Sequence, residues 1–198
     1  MSDQPEHASQ GGGPDARRSS SDHLDAATAS APVAATLVIA KESIGFAAAH
    51  FSVLENGSET LHGHNYRVAL RASGAVRGDG TVLDFAALKD ALRDACADLD
   101  HRMLVPTRCP EVSVEIIGED HVEVCEGRRR FVFPLADSRL LPLRNTTCEC
   151  LAGHLLRRVR ERLGPLPVRL EMTVEESPGQ GATVVEETAP GAPEIPHQ

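Results

Sequence analysis

The chain has 198 residues, a formal net charge of −9 and a hydrophobic fraction of 41%. This length and composition predict one folded domain with tails. The negative charge and an aromatic fraction of only 3%, with no Trp, argue against nucleic acid or an anionic membrane as the partner. No apolar run approaches the ~18 residues of a membrane span, and the N-terminal residues lack a secretory signal. The five cysteines do not suggest a disulfide framework, so we expect a cytoplasmic protein.

The two ends of the chain differ in composition from its centre. Residues 1–33 are rich in Gly, Ser, Asp and Ala and show no apolar period, and residues 188–198 are similar. Such compositions predict disordered tails. The folded domain is therefore expected at residues 34–187, with an insertion at residues 105–141.

Three elements are predicted in the first half of the domain. Apolar residues alternate along residues 36–51 and 64–73, which predicts two strands. A Gly-Asp-Gly turn follows. Asp84 is then a good N-cap for a helix over residues 85–99, in which apolar residues recur at helical spacing.

The second half of the domain begins with a less regular region. Residues 112–133 form three short alternating segments separated by Gly-containing turns, which predicts two short hairpins. A capping box at residues 146–149 predicts a second helix that ends at Leu163, before a Gly-Pro pair. The last main strand is predicted at residues 168–176, and Glu176 ends its apolar face. A carboxylate in that position needs a partner.

A short tail strand around Val184 completes the order of elements. This order predicts an α+β fold, in which an antiparallel sheet carries two helices packed on one face, plus an inserted hairpin region.

Three histidines stand at the ends of two apolar strand faces. His62 and His64 are two residues apart, so on a strand both side chains point to the same face. Every second residue before His50 is apolar as well. If the two strands pair, the three imidazoles meet at the rim of the core. The pair of histidines alone could be a chance feature of a strand, but three imidazoles with a fourth position open are typical of catalytic zinc.

Six motifs resemble the 6-pyruvoyltetrahydropterin synthase and 6-carboxytetrahydropterin synthase family, in the order and approximate spacing of that family. The resemblance implies a tunnelling fold, which usually assembles as a hexamer of two trimers with active sites between subunits. It also implies a pterin substrate, 7,8-dihydroneopterin triphosphate. The motifs are FAAAHF at 46–51, LHGHNYRV at 61–68, GTVLDFAALK at 80–89, LDHRML at 99–104, TTCECLA at 146–152 and VEESPGQGATV at 174–184.

The resemblance assigns the metal and the pterin anchor. His50, His62 and His64 correspond to the zinc ligands of the family, in agreement with the strand argument. Glu176 corresponds to the carboxylate that accepts hydrogen bonds from the 2-amino and ring N–H groups of the pterin. A planar carboxylate suits two parallel N–H donors, although a buried carboxylate that binds a backbone end is the structural alternative.

Two further pairs have both a functional and a structural interpretation. Thr147 and Glu149 lie in a segment that contacts the pterin in the family, but helix capping also explains both residues. Asp100 and His101 correspond to the Asp-His pair of the proton relay, but such a pair at a helix end could also be a C-terminal cap.

One position departs from the family pattern. The synthases carry a Cys a few residues before the His-Gly-His motif, and Ser58 stands at that position, followed by Glu59. A thiol is readily converted to a thiolate, whereas a serine hydroxyl is not a comparable base without help. The proton acceptor is therefore Glu59, or His101 supported by Asp100, or the usual reaction has been lost.

These features predict a zinc-dependent lyase, most similar to 6-carboxytetrahydropterin synthase in the pathway to queuosine and other 7-deazaguanines. One alternative is the variant with Glu in place of Cys, which yields 6-hydroxymethyl-dihydropterin or 6-pyruvoyltetrahydropterin. The other is a protein that binds zinc and pterin without catalysis. In each case the expected partners are a small pterin and further copies of the chain, as a trimer or hexamer.

Overall fold

The computed structural model describes residues 33–186. The predicted tails lie outside these residues, apart from Val33. Within this range the chain forms twelve strands, two α-helices and one 3-10 helix. In chain order they are β1 (Ala34–Ile39), β2 (Gly45–His50), β3 (Val53–Leu54), β4 (Gly57–Ser58), β5 (His62–Ala75), α1 (Phe85–Ala97), β6 (Arg102–Pro106), β7 (Val112–Ile117), β8 (His121–Glu126), β9 (Arg129–Pro134), the 3-10 helix (Leu135–Asp137), β10 (Ser138–Leu141), α2 (Cys148–Leu163), β11 (Val168–Ser177) and β12 (Gln180–Val185).

A seven-stranded sheet forms the main layer, in the order β10-β6-β2-β5-β11-β12, with β1 also paired to β5. β5 has 14 residues and is the central strand, because it pairs with β1, β2 and β11. These pairs and that of β11 with β12 are antiparallel, whereas β6 runs parallel to β2 and to β10. The sheet is thus mixed at one end, where the inserted region rejoins it.

Both helices pack on one face of the sheet, as the predicted α+β fold requires. Every second residue of β5 is buried on that face, from Tyr66 to Ala72. The apolar stripes of α1 and α2, which include Leu92 and Leu155, join the same core. Neither described helix is long and apolar enough to cross a bilayer.

The first predicted strand is divided into two. A turn separates β1 from β2, closed by a 2.9 Å hydrogen bond from the Ile44 N–H to the Lys41 carbonyl. Immediately after it, a Cβ on Gly45 would lie 2.3 Å from the Tyr66 carbonyl, so only glycine permits this close approach of β2 to β5. The second predicted strand is longer than expected, and β5 contains His62 as well as His64.

Of the two predicted N-terminal helix caps, one is confirmed and the other is wrong. Asp84 caps α1 as predicted, since its carboxylate accepts the Ala86 N–H at 2.8 Å. The predicted capping box is wrong, because α2 begins with Thr147 as its N-cap and the Thr147 side chain makes no capping hydrogen bond. Thr146 is fully buried instead, and its hydroxyl donates to the Phe51 carbonyl at 2.8 Å.

The inserted region forms the two predicted hairpins, which share their middle strand β8. Its inner face builds a second apolar cluster that includes Val122, Val124 and the partly buried Phe131. Phe51 is also part of this cluster and is fully buried. Because Phe51 directly follows His50, the insertion packs against the backbone that carries a predicted metal ligand.

Candidate metal site

The three histidines come together where β2 pairs with β5. In this antiparallel register His50 lies opposite His62, and Ala48 lies opposite His64. The ring centroids are 4.7 Å apart for His50–His62 and for His62–His64, and 5.4 Å apart for His50–His64. One ligand nitrogen from each ring lies within 4.8 Å of the others. The expected convergence of the three imidazoles is confirmed.

Two of the rings are oriented by backbone carbonyls. The Nδ1 atom of His50 lies 3.1 Å from the Thr146 carbonyl, and that of His62 lies 2.7 Å from the Thr60 carbonyl. A carbonyl oxygen can only accept, so each Nδ1 donates to it and each Nε2 is the ring nitrogen left for a metal ion. This is the outer-shell arrangement that fixes metal-binding histidines.

The cluster fits a divalent metal ion. His50 is 1% exposed, and its Nε2 has no hydrogen-bond partner among residues 33–186. Burial lowers the pKa of His50, and the neighbouring His62 and His64 lower it further. A neutral, buried nitrogen without a partner is costly unless it binds something. Three neutral imidazole nitrogens form a donor set that zinc accepts with a fourth position left for another ligand.

Glu176 lies at the edge of the histidine cluster. Its Oε2 atom is 4.0 Å from the His64 Nε2. The Cys148 thiol donates to the same oxygen at 3.8 Å, and the Gln180 amide donates to the other. Burial and the nearby Glu176 raise the pKa of Cys148 to about 11, so the thiol remains protonated and can donate. The carboxylate thus has the partners that its position at the end of a buried face requires.

Tyr66 adds a buried hydroxyl to this group. Its ring packs edge-on against His64, with centroids 5.6 Å apart, and the residue is 3% exposed. Its hydroxyl has no hydrogen-bond partner in the described part of the chain. Burial raises the pKa of Tyr66, and nearby acidic groups raise it further. Tyr66 is therefore a neutral donor beside the histidines.

Glu59 and Ser58 lie in the loop between β2 and β5. The Glu59 carboxylate accepts the Ser52 N–H at 3.3 Å, and the Glu59 N–H donates to the Ser52 carbonyl at 2.9 Å. Ser52 is two residues from His50, so the carboxylate is held close to the cluster. Ser58 lies in β4 opposite Val53, and its buried hydroxyl has no partner among the described residues.

Thr147 and Glu149 lie at the start of α2. Glu149 is exposed, and the proximity of its own backbone N–H and of the Thr147 hydroxyl lowers the pKa of its carboxyl group. This supports a structural role at the helix N-terminus, where an acidic group is favourable. A pterin contact of either residue stays a prediction.

Asp100 and His101 lie in the turn between α1 and β6. The Asp100 carboxylate accepts the Ala47 N–H at 2.8 Å and lies 3.0 Å from the His101 Nδ1. The His101 side chain is 83% exposed and lines a cavity of about 600 Å³ together with Ala47, Ala49 and His64. Because strand side chains alternate, Ala47 and Ala49 point to the face opposite His50. His64 thus belongs both to this cavity and to the histidine cluster.

The family model for 6-pyruvoyl tetrahydropterin synthase matches residues 39–187. The chain belongs to this family. A Methanocaldococcus jannaschii protein with the provisional name 6-carboxy-5,6,7,8-tetrahydropterin synthase is 30% identical over 142 residues, which cover 69% of this chain and 86% of that protein. A Pyrococcus horikoshii protein with the same provisional name is 28% identical and covers 70% of this chain and 84% of its own length.

Solved members of the 6-pyruvoyl tetrahydropterin synthase family share the fold. The crystal structure of the Plasmodium vivax enzyme is 34% identical, with a TM-score of 0.74, and covers 79% of this chain and 99% of the other. A second P. vivax structure, 33% identical with the same TM-score and the same coverage of both chains, has a glutamate described as a catalytic residue replaced by alanine.

Several contacts of the site were not predicted from the sequence. Thr146 was assigned to a helix cap, although it accepts a hydrogen bond from His50 through its carbonyl. Cys148 had no assigned role, although it contacts Glu176. Tyr66 continues the face of His62 and His64 at the next alternate position, and this period could have identified it.

We expect the pure protein to hold about one divalent metal ion per chain, as the single open site predicts. His62→Ala and His64→Ala should each lose most of it, because two imidazoles hold a metal far less tightly than three. Elemental analysis after gel filtration measures this. His121→Ala, which changes a histidine of the inserted sheet, is the control and should keep its metal. Full metal content in both site variants would contradict the assignment.

Proposed function

We propose that this protein is a zinc-dependent lyase that acts on the side chain of 7,8-dihydroneopterin triphosphate. We further propose that it forms 6-carboxy-5,6,7,8-tetrahydropterin for the synthesis of queuosine and other 7-deazaguanines. The observation that carries the proposal is the cluster of three histidines with Glu176 4.0 Å from one of them. Membership of the family and the names of the two archaeal relatives support it.

His50, His62 and His64 would hold the zinc through their Nε2 atoms. The carbonyls of Thr146 and Thr60 fix two of the rings, so the ligand set is oriented before any ion arrives. Zinc, when bound, supplies a Lewis acid for the hydroxyl oxygens of the substrate side chain.

Glu176 would orient the pterin ring. Its two carboxylate oxygens can accept two parallel N–H bonds from the ring and its amino group, which fixes the plane of the substrate. The Cys148 thiol and the Gln180 amide hold the carboxylate on its rim, next to His64. The side chain of the pterin would then extend towards the histidines.

Glu59 is the proposed base that removes a proton from the carbon next to a side-chain hydroxyl. Its carboxylate is held beside Ser52, two residues after His50. The similar P. vivax enzyme, in which a glutamate is described as a catalytic residue, supports this choice. Ser58 is the competing candidate, since its hydroxyl is buried in the same loop.

Asp100 and His101 are proposed to move the second proton, in the site of a neighbouring subunit. The Ala47 N–H and the His101 imidazole lower the pKa of Asp100, so the carboxylate is ionised and can orient the imidazole. His101 lines a cavity together with Ala47, Ala49 and His64. A trimer or hexamer would bring His101 to the histidines of the next chain.

The absence of a thiol at Ser58 favours a second candidate product. The nearest base in this chain is then a carboxylate and not a thiolate. The similar P. vivax enzyme also has a glutamate described as catalytic. The chain would then form 6-hydroxymethyl-dihydropterin, or 6-pyruvoyltetrahydropterin, from the same substrate.

Product analysis tests the proposal directly. Purified zinc-loaded protein is incubated with 7,8-dihydroneopterin triphosphate, and the pterins are separated and identified by mass spectrometry. We expect 6-carboxytetrahydropterin. The hydroxymethyl or pyruvoyl product would instead support the second candidate. If no dihydroneopterin substrate is converted while pterin and zinc still bind, the protein is a binding protein and the proposed activity is wrong.

Glu59→Gln should reduce turnover about 10²-fold or more, because a glutamine cannot accept the proton. Zinc content and pterin affinity should stay close to those of the wild type, since neither contact uses this carboxylate. Ser58→Ala is the matched variant and should be mild. Normal turnover in Glu59→Gln together with an inactive Ser58→Ala would assign the reaction to the hydroxyl.

Mixed oligomers test the shared site. His64→Ala and His101→Ala chains should each be inactive alone. If each site takes its metal ligands from one chain and His101 from the next, mixed oligomers isolated from an equal mixture should recover about a quarter to a third of wild-type activity. Co-expression with two affinity tags isolates the mixed species. Mixed oligomers that remain as inactive as the single variants, or a monomer in solution, would refute the shared site.

A further inference from the structure

Arg129 links the inserted sheet to the loop between β2 and β5. It is the first residue of β9 and lies opposite Glu126 of β8. Its side chain is only 31% exposed, although arginine side chains are mostly exposed to solvent. Glu59, which it contacts, precedes it by 70 residues in the sequence. No local pattern connects the two.

Three kinds of contact hold the guanidinium. It lies over the ring of Phe51 at 5.3 Å and over that of Phe131 at 5.0 Å. Its Nη1 donates to the Glu59 carbonyl at 2.7 Å and lies 3.4 Å from the Glu126 carboxylate. The guanidinium therefore lies beside the stacked pair of rings, and its Nη1 is directed at the two acceptors.

These contacts converge on the short segment that holds the proposed base. Phe51 directly follows the metal ligand His50, and the next residue, Ser52, forms two hydrogen bonds with Glu59. Arg129 therefore contacts both ends of the segment from Phe51 to Glu59. Its guanidinium lies over the Phe51 ring, and its Nη1 donates to the Glu59 carbonyl. The main chain of Glu59 is held from the strand side by Ser52 and from the insertion side by Arg129.

We propose that Arg129 is a positioning residue that holds Glu59 over the three histidines, and that the inserted sheet serves catalysis through it. The inference rests on the proposed role of Glu59 as the base. Glu126 keeps the guanidinium in place as its ion-pair partner. The aliphatic and aromatic residues of the apolar cluster around Phe51 remain when the guanidinium is lost. We therefore expect the position of the loop to change and the fold to stay the same.

Two variants of Arg129 separate position from packing. Arg129→Met keeps an unbranched apolar stem and removes the Nη1 donor of both contacts, and Arg129→Lys keeps the charge without the planar group. We expect kcat to fall about 10-fold or more in both, with KM and zinc content within about 2-fold of the wild type. The matched control is Arg130→Met, which removes the next arginine and its ion pair with Glu123 on the same strands. It should behave like the wild type.

Hydrogen exchange tests the positioning without relying on turnover. Mass spectrometry of the peptide that covers residues 53–61 should show faster deuterium uptake in both Arg129 variants and unchanged uptake in Arg130→Met. If uptake is faster in the Arg129 variants but no form of the protein is active, the proposed function is wrong, although Arg129 still holds the loop in place. Unchanged uptake together with unchanged kcat would overturn the inference about Arg129.

A double variant tests whether Arg129 acts through Glu59. In the Glu59→Gln background, Arg129→Met should cost little further turnover, because the group it positions is already inactive. Full additivity of the two losses would overturn the proposal, since Arg129 would then act elsewhere. Loss of zinc in Arg129→Met would also overturn it, because the residue would then support His50 instead of Glu59.

Discussion

The register between β2 and β5 is the constraint on which the site depends. It places His50 opposite His62 and Ala48 opposite His64, so all three imidazoles share the face that packs against the helices. A shift by one residue would turn every side chain of a strand to the other face and remove the ligand set. The two strands approach closely here, since a Cβ on Gly63 would lie 3.2 Å from the Ala48 carbonyl.

The apolar core and the inserted sheet both contact the end of β2 that carries His50. On one side Thr146, fully buried at the start of α2, meets His50 through its carbonyl and Phe51 through its hydroxyl. On the other side Phe51 joins the apolar cluster of the insertion. Because His50 and Phe51 are consecutive residues, a displacement of one would also displace the other. The insertion thus packs against the residue that directly follows His50.

Much of this could be predicted from periods of two along the strands. Alternation identified His62, His64 and Glu176 as members of buried faces, and the structure brings these side chains to one rim. The capping box failed because a local pattern competed with a tertiary contact, and the Thr146 hydroxyl binds Phe51 instead of the helix. The contact of Arg129 with Glu59 joins residues 70 positions apart and has no sequence period, so only the structure could reveal it.

Zinc X-ray absorption spectroscopy of the purified protein tests most directly whether three oriented imidazoles hold an open metal site. We expect about three imidazole nitrogens and one further light atom at ~2.0–2.1 Å from the zinc, with a change in the spectrum when a dihydropterin with its side-chain hydroxyls is added. A sulfur scatterer at ~2.3 Å, or a spectrum that stays the same with a bound pterin, would contradict an open site with three histidine ligands.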